Sequence, residues 1–219
     1  MVNTLMTRLK VYLNKHTKKK ELIIIDDASS DKSYDIIEKY KNNKLCRLIY
    51  NKSSKGLIKS SNIAIKAAKG KYIIRLDADD YLDPNAISLM VNIIEKETSI
   101  ALVYSDYYLI DEKKNILSLE KQIKREKNYL EDKPVLAACC LIRKSSIFSV
   151  NLYDERFNRQ DGYDLWYKLI KDFKLKHIPL PLFFYRRHGT NLTKNQNKLF
   201  KTRTKILRKF SQKKKNKEC

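Results

Sequence analysis

The sequence predicts an α/β fold: a mostly parallel sheet with helices on both faces. Between residues 21 and 106, short runs rich in Ile, Val and Tyr alternate with stretches of helical periodicity. This alternation is typical of parallel strands joined by crossover helices. Carboxylates also follow three of the apolar runs, at the strand ends where such sheets bind their ligands. The two patterns together predict an architecture and the sheet edge that carries the site.

Each element has a local signal. Apolar positions recur at helical spacing over residues 3–17. Strands are predicted over 21–29, 46–50, 71–78 and 99–106, and helices over 31–42, 57–69 and 84–97. Asp31 is a candidate N-cap, Gly70 is a good C-cap, and Pro84 stands near a first helical turn.

Bulk composition bounds the class of protein. A chain of 219 residues with 42% hydrophobic residues can form one domain with a sizeable core, or one domain and a tail. No stretch approaches the roughly 20 apolar residues that span a bilayer, and the first residues show no secretory signal pattern. The four cysteines lack metal-ligand spacing, which favours free thiols in a reducing cytoplasm.

Positive charge is concentrated at the two ends of the chain. Residues 1–20 carry six Lys or Arg and no acid, and residues 198–219 carry ten against Glu218, so the ends supply +15 of the net +22. A nucleic-acid-binding domain more often shows a basic face interleaved with aromatic residues inside the fold. The distribution therefore favours contact with membrane phosphates, or solvation alone, and disfavours a nucleic-acid partner.

The segment IIRLDADDYLDPNA, residues 73–86, places four carboxylates within seven positions behind an apolar run. Their mutual repulsion is costly unless a cation offsets it. Asp77 and Asp79 can converge where the strand ends, and carboxylate oxygens suit Mg²⁺ or Mn²⁺. The alternative is a capping turn in which Asp83-Pro84 starts a helix and the other acids are only solvated.

Four blocks in order resemble the family 2 glycosyltransferases, which have the nucleotide-sugar-binding GT-A fold. The blocks are ELIIIDDASSDKS (21–33), the long stretch from NKSSKGLIKSSN to RLDADDYLDPNAI (51–87), DERFNRQDGYDLWYKLI (154–170) and PLFFYRRHGTNLTKN (181–195). The resemblance implies a GT-A domain over residues 1–195, followed by a basic helix or tail over 196–219.

The resemblance implies a donor site at the acidic strand ends. Asp27 matches the carboxylate that accepts the uracil N–H of a UDP donor; without the family, turn chemistry with Ser29-Ser30 is an equal alternative. Asp79 matches the main metal ligand, and Asp77 would lie near the ribose or the metal. Asp80 is a weaker candidate for the same shell.

Further residues match the walls of the donor pocket. Gly56 and Asn62 match a stretch that lines it, but for Asn62 the satisfaction of buried backbone groups is favoured over direct donor contact. Arg187 and His188 match a segment that closes over the donor phosphates, where cations complement the charge. Two other roles stay open for His188: it could bind the metal, or it could be purely structural.

The resemblance also implies an inverting mechanism with Asp161 as the general base. Asp161, five residues before Trp166, would take the proton from an acceptor hydroxyl as it attacks the sugar C1. Many relatives carry Glu-Asp where this chain has Asp161-Gly162, so one carboxylate is missing. Asp164 is interpreted as a surface or N-terminal helix position, and Leu165, Trp166 and Leu169 as core.

One departure concerns the start of the fold. Relatives begin with a strand that carries residues flanking the nucleotide base, whereas this chain starts within the helix that follows it. The resemblance therefore predicts a truncated domain in which the neighbouring strands have unpaired edges, unless something else fills the gap.

The tail places five apolar residues among ten basic ones. A basic amphipathic helix can lie on an anionic membrane, which would put the protein at the inner face with a glycan or lipid-linked acceptor. A solubilising tail is the alternative. Three hypotheses for the whole chain stay open: a metal-assisted glycosyltransferase, a non-catalytic remnant that binds nucleotide weakly or packs against a partner, and, least favoured, a nucleic-acid-binding protein.

Overall fold

The computed structural model describes residues 20–122, 140–189 and 196–215. The helix predicted over 3–17 lies outside the described residues. The strands are β1 (Leu22–Asp26), β2 (Cys46–Tyr50), β3 (Tyr72–Ile74), β4 (Tyr81–Leu82), β5 (Ile100–Ile110), β6 (Ile116–Glu120), β7 (Leu141–Arg143) and β8 (Lys174–Arg186). The helices are α1 (Ser33–Glu38), α2 (Leu57–Ala67), α3 (Ala86–Ile94), α4 (Lys144–Ser149), α5 (Asp161–Leu169) and α6 (Gln196–Lys215).

The described strands form two sheets. β1 and β2 pair in parallel, with Leu22 opposite Cys46 and Asp26 opposite Tyr50. The six remaining strands follow the order β3-β7-β5-β8-β4, and β6 also pairs with β5. Because β8 follows β5 along its whole length, β7 and β6 share the other edge of β5, one beside each half.

The strand pairing is more mixed than the mostly parallel sheet that the alternation predicts. β5 and β8 are parallel, but β3 with β7, β5 with β7, β5 with β6 and β4 with β8 are antiparallel. The parallel prediction is correct for the strands joined through α1, and wrong where a hairpin or a long connection returns the chain in the opposite direction. The α/β architecture itself is confirmed.

Apolar side chains cover both faces of the larger sheet. Neighbouring residues Leu102 and Val103 of β5 belong to different clusters because successive side chains of a strand point to opposite faces. Leu102 packs with Trp166 of α5 and Ile65 of α2, while Val103 packs with Met90 of α3. Helices therefore lie on both faces, as the sequence predicts.

Five described strands have an edge without a strand partner among the described residues, because each pairs with one strand only. β1 pairs only with β2, and β3 pairs only with β7; the other three are β2, β4 and β6. The apolar run of β1 is correspondingly only half-buried from Leu22 to Ile25. A sheet edge of this composition is a surface that another strand can cover.

Some predicted boundaries differ from the structure. β5 continues to Ile110 instead of ending at Asp106, because aromatic and β-branched residues extend the pairing with β8. Asp106 therefore lies within the strand and not at its end. The helices predicted over 31–42 and 84–97 are shorter and cover Ser33–Glu38 and Ala86–Ile94.

The basic C-terminal helix packs on the domain. Ile206 of α6 is fully buried in a cluster with Phe157 and Tyr163, and the rings of Tyr167 and Phe210 stack at 4.9 Å. The apolar stripe predicted for this helix is thus used inside the protein. Its outward face is mostly basic and includes the polar residues Asn197 and Thr204 and one large apolar residue, Phe200, which is 59% exposed.

Asp164 lies in the first turn of α5, as one of the two sequence interpretations has it, but it is not a surface residue. Its side chain is 1% exposed and forms ion pairs with Lys168 on the same helix and with Lys209 of α6. Lys209 also contacts Asp154 at 2.7 Å, so one ammonium joins α6 to α5 and to the loop before α5. Leu165, Trp166 and Leu169 lie in the core as predicted.

Among the described residues, no helix combines the length and apolar composition needed to cross a membrane. Cys46 and Cys140 are free thiols, and the other two cysteines lie outside the described residues.

Candidate active site

Asp27 follows β1 and holds the loop that leads into α2. Its two carboxylate oxygens accept five hydrogen bonds from residues 51–60. The donors are Asn51 Nδ2 (2.7 Å), Ser54 Oγ (2.9 Å), Lys55 N (2.9 Å), Gly56 N (2.8 Å) and Ser60 Oγ (3.0 Å). The neighbouring Asp26 performs the turn chemistry instead, accepting a bond from Ser29 N at 3.1 Å.

This network fixes the charge of Asp27. Burial raises the pKa of Asp27, but the hydrogen bonds from Lys55, Asn51, Gly56 and Ser54 outweigh it and hold that pKa well below its ordinary value. A carboxylate offers about four lone-pair sites, and five donors already converge on this one. Asp27 therefore positions the loop, and its contact with uracil stays a prediction.

Gly56 is the residue at which this loop enters α2. Its φ of 81° and ψ of 165° lie in a region that side-chain-bearing residues rarely adopt. The conformation turns the Gly56 N–H towards Asp27, which accepts it at 2.8 Å. The backbone conformation therefore explains why a glycine stands at position 56.

We expect Gly56→Ala to lower the free energy of unfolding by about 1–3 kcal/mol, because a residue with a Cβ atom is strained in the backbone conformation of Gly56. No atom lies within 4 Å of the added carbon, so a steric clash does not contribute. Urea denaturation measures the change. Gly189→Ala is the control, since Gly189 also has open space but no positive φ, and it should be nearly neutral. Equal stability of the two variants would contradict the strain.

The acidic turn after β3 lies against the end of β8. His188 Nε2 is 2.7 Å from Asp79 Oδ2, across 109 residues of sequence. Asp80 is fully buried, and its Oδ1 accepts the backbone N–H of Arg186 at 2.8 Å. The Arg186 side chain donates to the carbonyl of Asp79 at 2.9 Å. Two of the blocks that carry the family resemblance therefore meet in space.

Asp80 and Arg186 have structural roles that the sequence interpretation missed. Asp80 was considered for the metal shell, and Arg187, not Arg186, for the donor phosphates. Arg186 is 7% exposed and also donates to the carbonyls of Asp111 and Glu112, whereas Arg187 is exposed. The sequence shows that charged residues are dense in DADD (77–80) and RRH (186–188). This density does not tell which of these residues are buried and which are exposed.

Asn62 faces away from the Asp27 loop. Its amide accepts from Tyr153 N at 3.1 Å and donates to Tyr153 O and to Glu155, each at 3.0 Å. These bonds match the alternative that Asn62 satisfies buried backbone groups. Nothing in this arrangement brings Asn62 to the acidic turn.

Asp161 is the first residue of α5. The preceding Gln160 has a left-handed backbone (φ 59°, ψ 26°), so the chain turns sharply into the helix there. The description of Asp161 is limited to its backbone. Its role as general base therefore stays a prediction.

The comparison with protein-family models decides the identity of the fold. The model of glycosyl transferase family 2 matches residues 3–157 of the 219. The chain belongs to glycosyl transferase family 2. The resemblance found from four sequence blocks is confirmed.

Individual relatives of this family 2 chain are moderately similar. An uncharacterized glycosyltransferase of Methanocaldococcus jannaschii is 33% identical over 75% of this chain and 59% of its own length. The Escherichia coli β-1,3-glucosyltransferase WfaP, named for UDP-Glc and a GlcNAc-diphosphoundecaprenol acceptor, is 28% identical over 94% of the chain and 81% of its own length. An E. coli chondroitin synthase is 32% identical over 82% of the chain and 26% of its own length. The chain thus spans only part of each relative.

Solved structures support the GT-A fold. S. aureus TarS in complex with UDP-GlcNAc superposes with a TM-score of 0.69 at 13% identity, covering 87% of this chain and 57% of TarS. GalNAc-T7, solved with UDP, GalNAc and Mn²⁺, gives 0.68 at 21% identity, covering 84% of the chain and 41% of that protein. At these identities the likeness concerns the fold alone.

The metal-binding role that the sequence implies for Asp79 and offers for His188 stays a prediction, although the two side chains lie side by side. Among the described residues, no group of three or more His, Cys, Asp or Glu side chains could hold a metal ion. Mg²⁺-type sites commonly use one or two protein ligands and leave the rest to substrate phosphates. Two ligand atoms about 2.1 Å from one cation at right angles are about 3 Å apart, so a cation would replace the direct 2.7 Å hydrogen bond and separate the pair slightly. Asp77 instead lies against Arg75, with Oδ1 3.1 Å from Nε.

A second buried acid–histidine pair was not predicted as a site. Asp106 of β5 is 4% exposed, and its Oδ1 lies 2.7 Å from His177 Nε2 of β8 and accepts the backbone N–H of Gln122 at 2.7 Å. The His177 ring stacks on Tyr104 at 5.0 Å. Asp106 was noted in the sequence as an acid at a predicted strand end. Because β5 was predicted to end there, its pairing with His177 of β8 was not predicted.

Proposed function

We propose that this chain transfers a sugar from a nucleotide donor, of the UDP type by its family likeness, to a hydroxyl of a glycan or a lipid-linked acceptor. The single observation that carries the proposal is the contact of Asp79 with His188, which joins two family blocks into one site. Family membership supports sugar transfer as the reaction class. The names of WfaP and of the TarS complex support UDP as the nucleotide, and WfaP supports a lipid-linked acceptor.

The residues of this chain divide the work of donor binding. Asp27 holds the loop from Ser54 to Ser60 in one conformation, which lowers the entropy lost when a nucleotide docks there. Arg187 is exposed and lies in the chain between Arg186 and His188, which contact the acidic turn, so we propose that it complements diphosphate charge. Asp79 and His188 would hold Mg²⁺ or Mn²⁺, with Asp77 close by. A bound divalent cation stabilises the negative charge that develops on the leaving diphosphate.

Asp161 is proposed to act on the acceptor. Its carboxylate takes the proton of the acceptor hydroxyl while the oxygen attacks C1 from the face opposite the diphosphate. The bond from C1 to oxygen forms as the bond to the diphosphate breaks, so the anomeric configuration inverts. Since Gly162 replaces the second family carboxylate, Asp161 alone carries this role.

The test is Asp161→Asn. Asparagine cannot accept the proton, so we expect turnover to fall by roughly 100-fold or more, while UDP binding stays within twofold. The release of UDP measures donor hydrolysis and sugar transfer. Calorimetry measures the binding of UDP. Asp172→Asn, an exposed carboxylate beyond the other end of α5, is the control and should keep full activity. A variant at Asp161 that still transfers sugar at the normal rate would overturn the assignment of the base.

The outward face of α6 supports a location at the inner face of the membrane. Lys198, Lys201, Lys205 and Arg208 are exposed and recur at helical spacing, so they lie on one side. Because the apolar stripe of α6 is buried against the domain, the attraction to an anionic bilayer would be electrostatic and not by insertion. This replaces the amphipathic insertion that the sequence suggested.

A second candidate is a chain that binds nucleotide weakly, or packs against a partner, without catalysis. The observation that favours it is the separation of the β1–β2 pair from the larger sheet within the described strands. Measurable transfer by the purified chain would exclude this candidate.

A further inference from the structure

A cavity of about 560 Å³ lies away from the acidic turn. It is bounded by α2, by the segment from Val150 to Arg156, by α5 with the turn after it, and by α6. This volume is within the usual range of small-molecule sites. The residues of the candidate active site, Asn62 excepted, do not line it.

The cavity and the Asp27 loop lie on different sides of α2. Ser60 contacts Asp27, whereas Asn62, two residues later, lines the cavity. Successive helical residues are 100° apart, so these two side chains point in nearly opposite directions. The cavity is therefore a separate place in the fold.

The lining is strongly cationic. Five basic side chains and two carboxylates face the cavity, which gives a net charge of +3. The basic residues are Lys66, Arg156, Lys168, Lys171 and Lys209. Like charges gathered around one space repel each other, and a bound anion would relieve that repulsion.

The two carboxylates are already engaged. Asp154 binds Arg156 at 2.6 Å and Lys209 at 2.7 Å, and Glu155 accepts from the Asn62 amide at 3.0 Å. The bonds from Arg156 and Lys209 hold the pKa of Asp154 well below its ordinary value.

Two exposed lysines supply the charge that the described residues leave uncompensated. Lys66 and Lys171 form no ion pair with any described carboxylate. The Lys171 ammonium lies 5.1 Å from the centre of the Phe210 ring, which orients it at the cavity wall. Lys168 is fixed more firmly, by Asp164 at 2.9 Å and by the carbonyl of Leu152 at 2.8 Å.

We infer that this cavity binds a phosphate-bearing group, with Lys66 and Lys171 as its main contacts. Lysine ammonium groups bind phosphate as point charges, and a diphosphate fits the net charge and the volume of the cavity. The site is independent of sugar transfer, because it shares no cation with the acidic turn. The phosphate can belong to a soluble molecule or to a lipid headgroup.

The test uses inorganic pyrophosphate and the full chain, with a chelator present so that a metal-dependent donor site does not contribute. Calorimetry should detect millimolar or tighter binding by the native protein. Lys66→Gln with Lys171→Gln should raise the Kd at least roughly tenfold, because two of the contacting charges are gone. Lys96→Gln with Lys113→Gln removes the same charge from exposed positions outside the cavity, and should leave the Kd within about twofold.

Vesicles distinguish the two sources of phosphate. Sedimentation with phosphatidic acid vesicles should weaken in the cavity variant, relative to its charge-matched control, if a lipid headgroup is the ligand. Equal sedimentation, with pyrophosphate binding still lost, identifies a soluble phosphate. Absent binding of pyrophosphate by the native protein, or an equal Kd in the two double variants, overturns the proposal. The single variant Lys66→Gln, which leaves the Phe210 contact intact, separates lost binding from disturbed packing of α6.

Discussion

Replacing Asp79 with asparagine is expected to reduce sugar transfer by roughly 100-fold or more. The substitution removes the negative charge that would hold a divalent cation and that faces His188 at 2.7 Å. The loss should appear mainly in kcat, because the charge of the leaving diphosphate develops in the transition state. Release of UDP, measured with and without Mn²⁺, gives the rate and shows whether its metal dependence has disappeared.

Asp83→Asn provides a matched control for Asp79→Asn. Asp83 belongs to the same acidic run, but its carboxylate accepts the backbone N–H of Asn85 at 2.8 Å, a bond that asparagine can also accept. This control should retain nearly full activity. If Asp79→Asn keeps the native rate and the native dependence on Mn²⁺, the acidic turn is not the donor site.

The largest effect on stability is expected for Asp164→Asn, at about 3 kcal/mol of unfolding free energy. Asp164 is 1% exposed and faces the ammonium groups of Lys168 and Lys209, each of which is about 15% exposed. Neutralising the carboxylate leaves two nearly buried cations facing each other, which costs far more than losing a surface ion pair. Urea denaturation measures the change, with the slope checked for two-state behaviour.

Two further variants make the Asp164 result specific. Asp172→Asn removes an exposed carboxylate close to the same helix and should change stability by less than about 0.5 kcal/mol. Adding Lys209→Met to Asp164→Asn removes one of the two opposed cations and should recover part of the loss. A loss below about 1 kcal/mol for Asp164→Asn would contradict the link between α5 and α6.

The sequence was sufficient for the fold, and for bringing two blocks of the candidate site together, where the evidence was local. Strand and helix signals between residues 21 and 106 recur in the structure with shifted ends, and the blocks around Asp79 and His188 meet as the resemblance implies. Local patterns encode such features because they depend on propensity, capping and hydrophobic period.

The sequence did not predict what depends on long-range packing. The five donors on Asp27 come from a loop more than 20 positions away, and Lys209 reaches Asp164 across 45 positions. The mixed pairing of β7 beside β5 likewise depends on where the chain returns to the sheet. Charge alone could not decide which member of DADD or RRH is buried, since that depends on tertiary neighbours.

The most direct test of the account is the melting temperature of the purified chain with UDP, with Mn²⁺, with both and with neither. A ligand that binds only the folded state stabilises it by about 2.7 kcal/mol at a hundredfold excess over its Kd. The account predicts a clear rise that requires both additives, because the site at Asp79 and His188 needs the cation and the diphosphate together. A cooperative transition that neither additive shifts would contradict the proposal that this site binds a nucleotide donor.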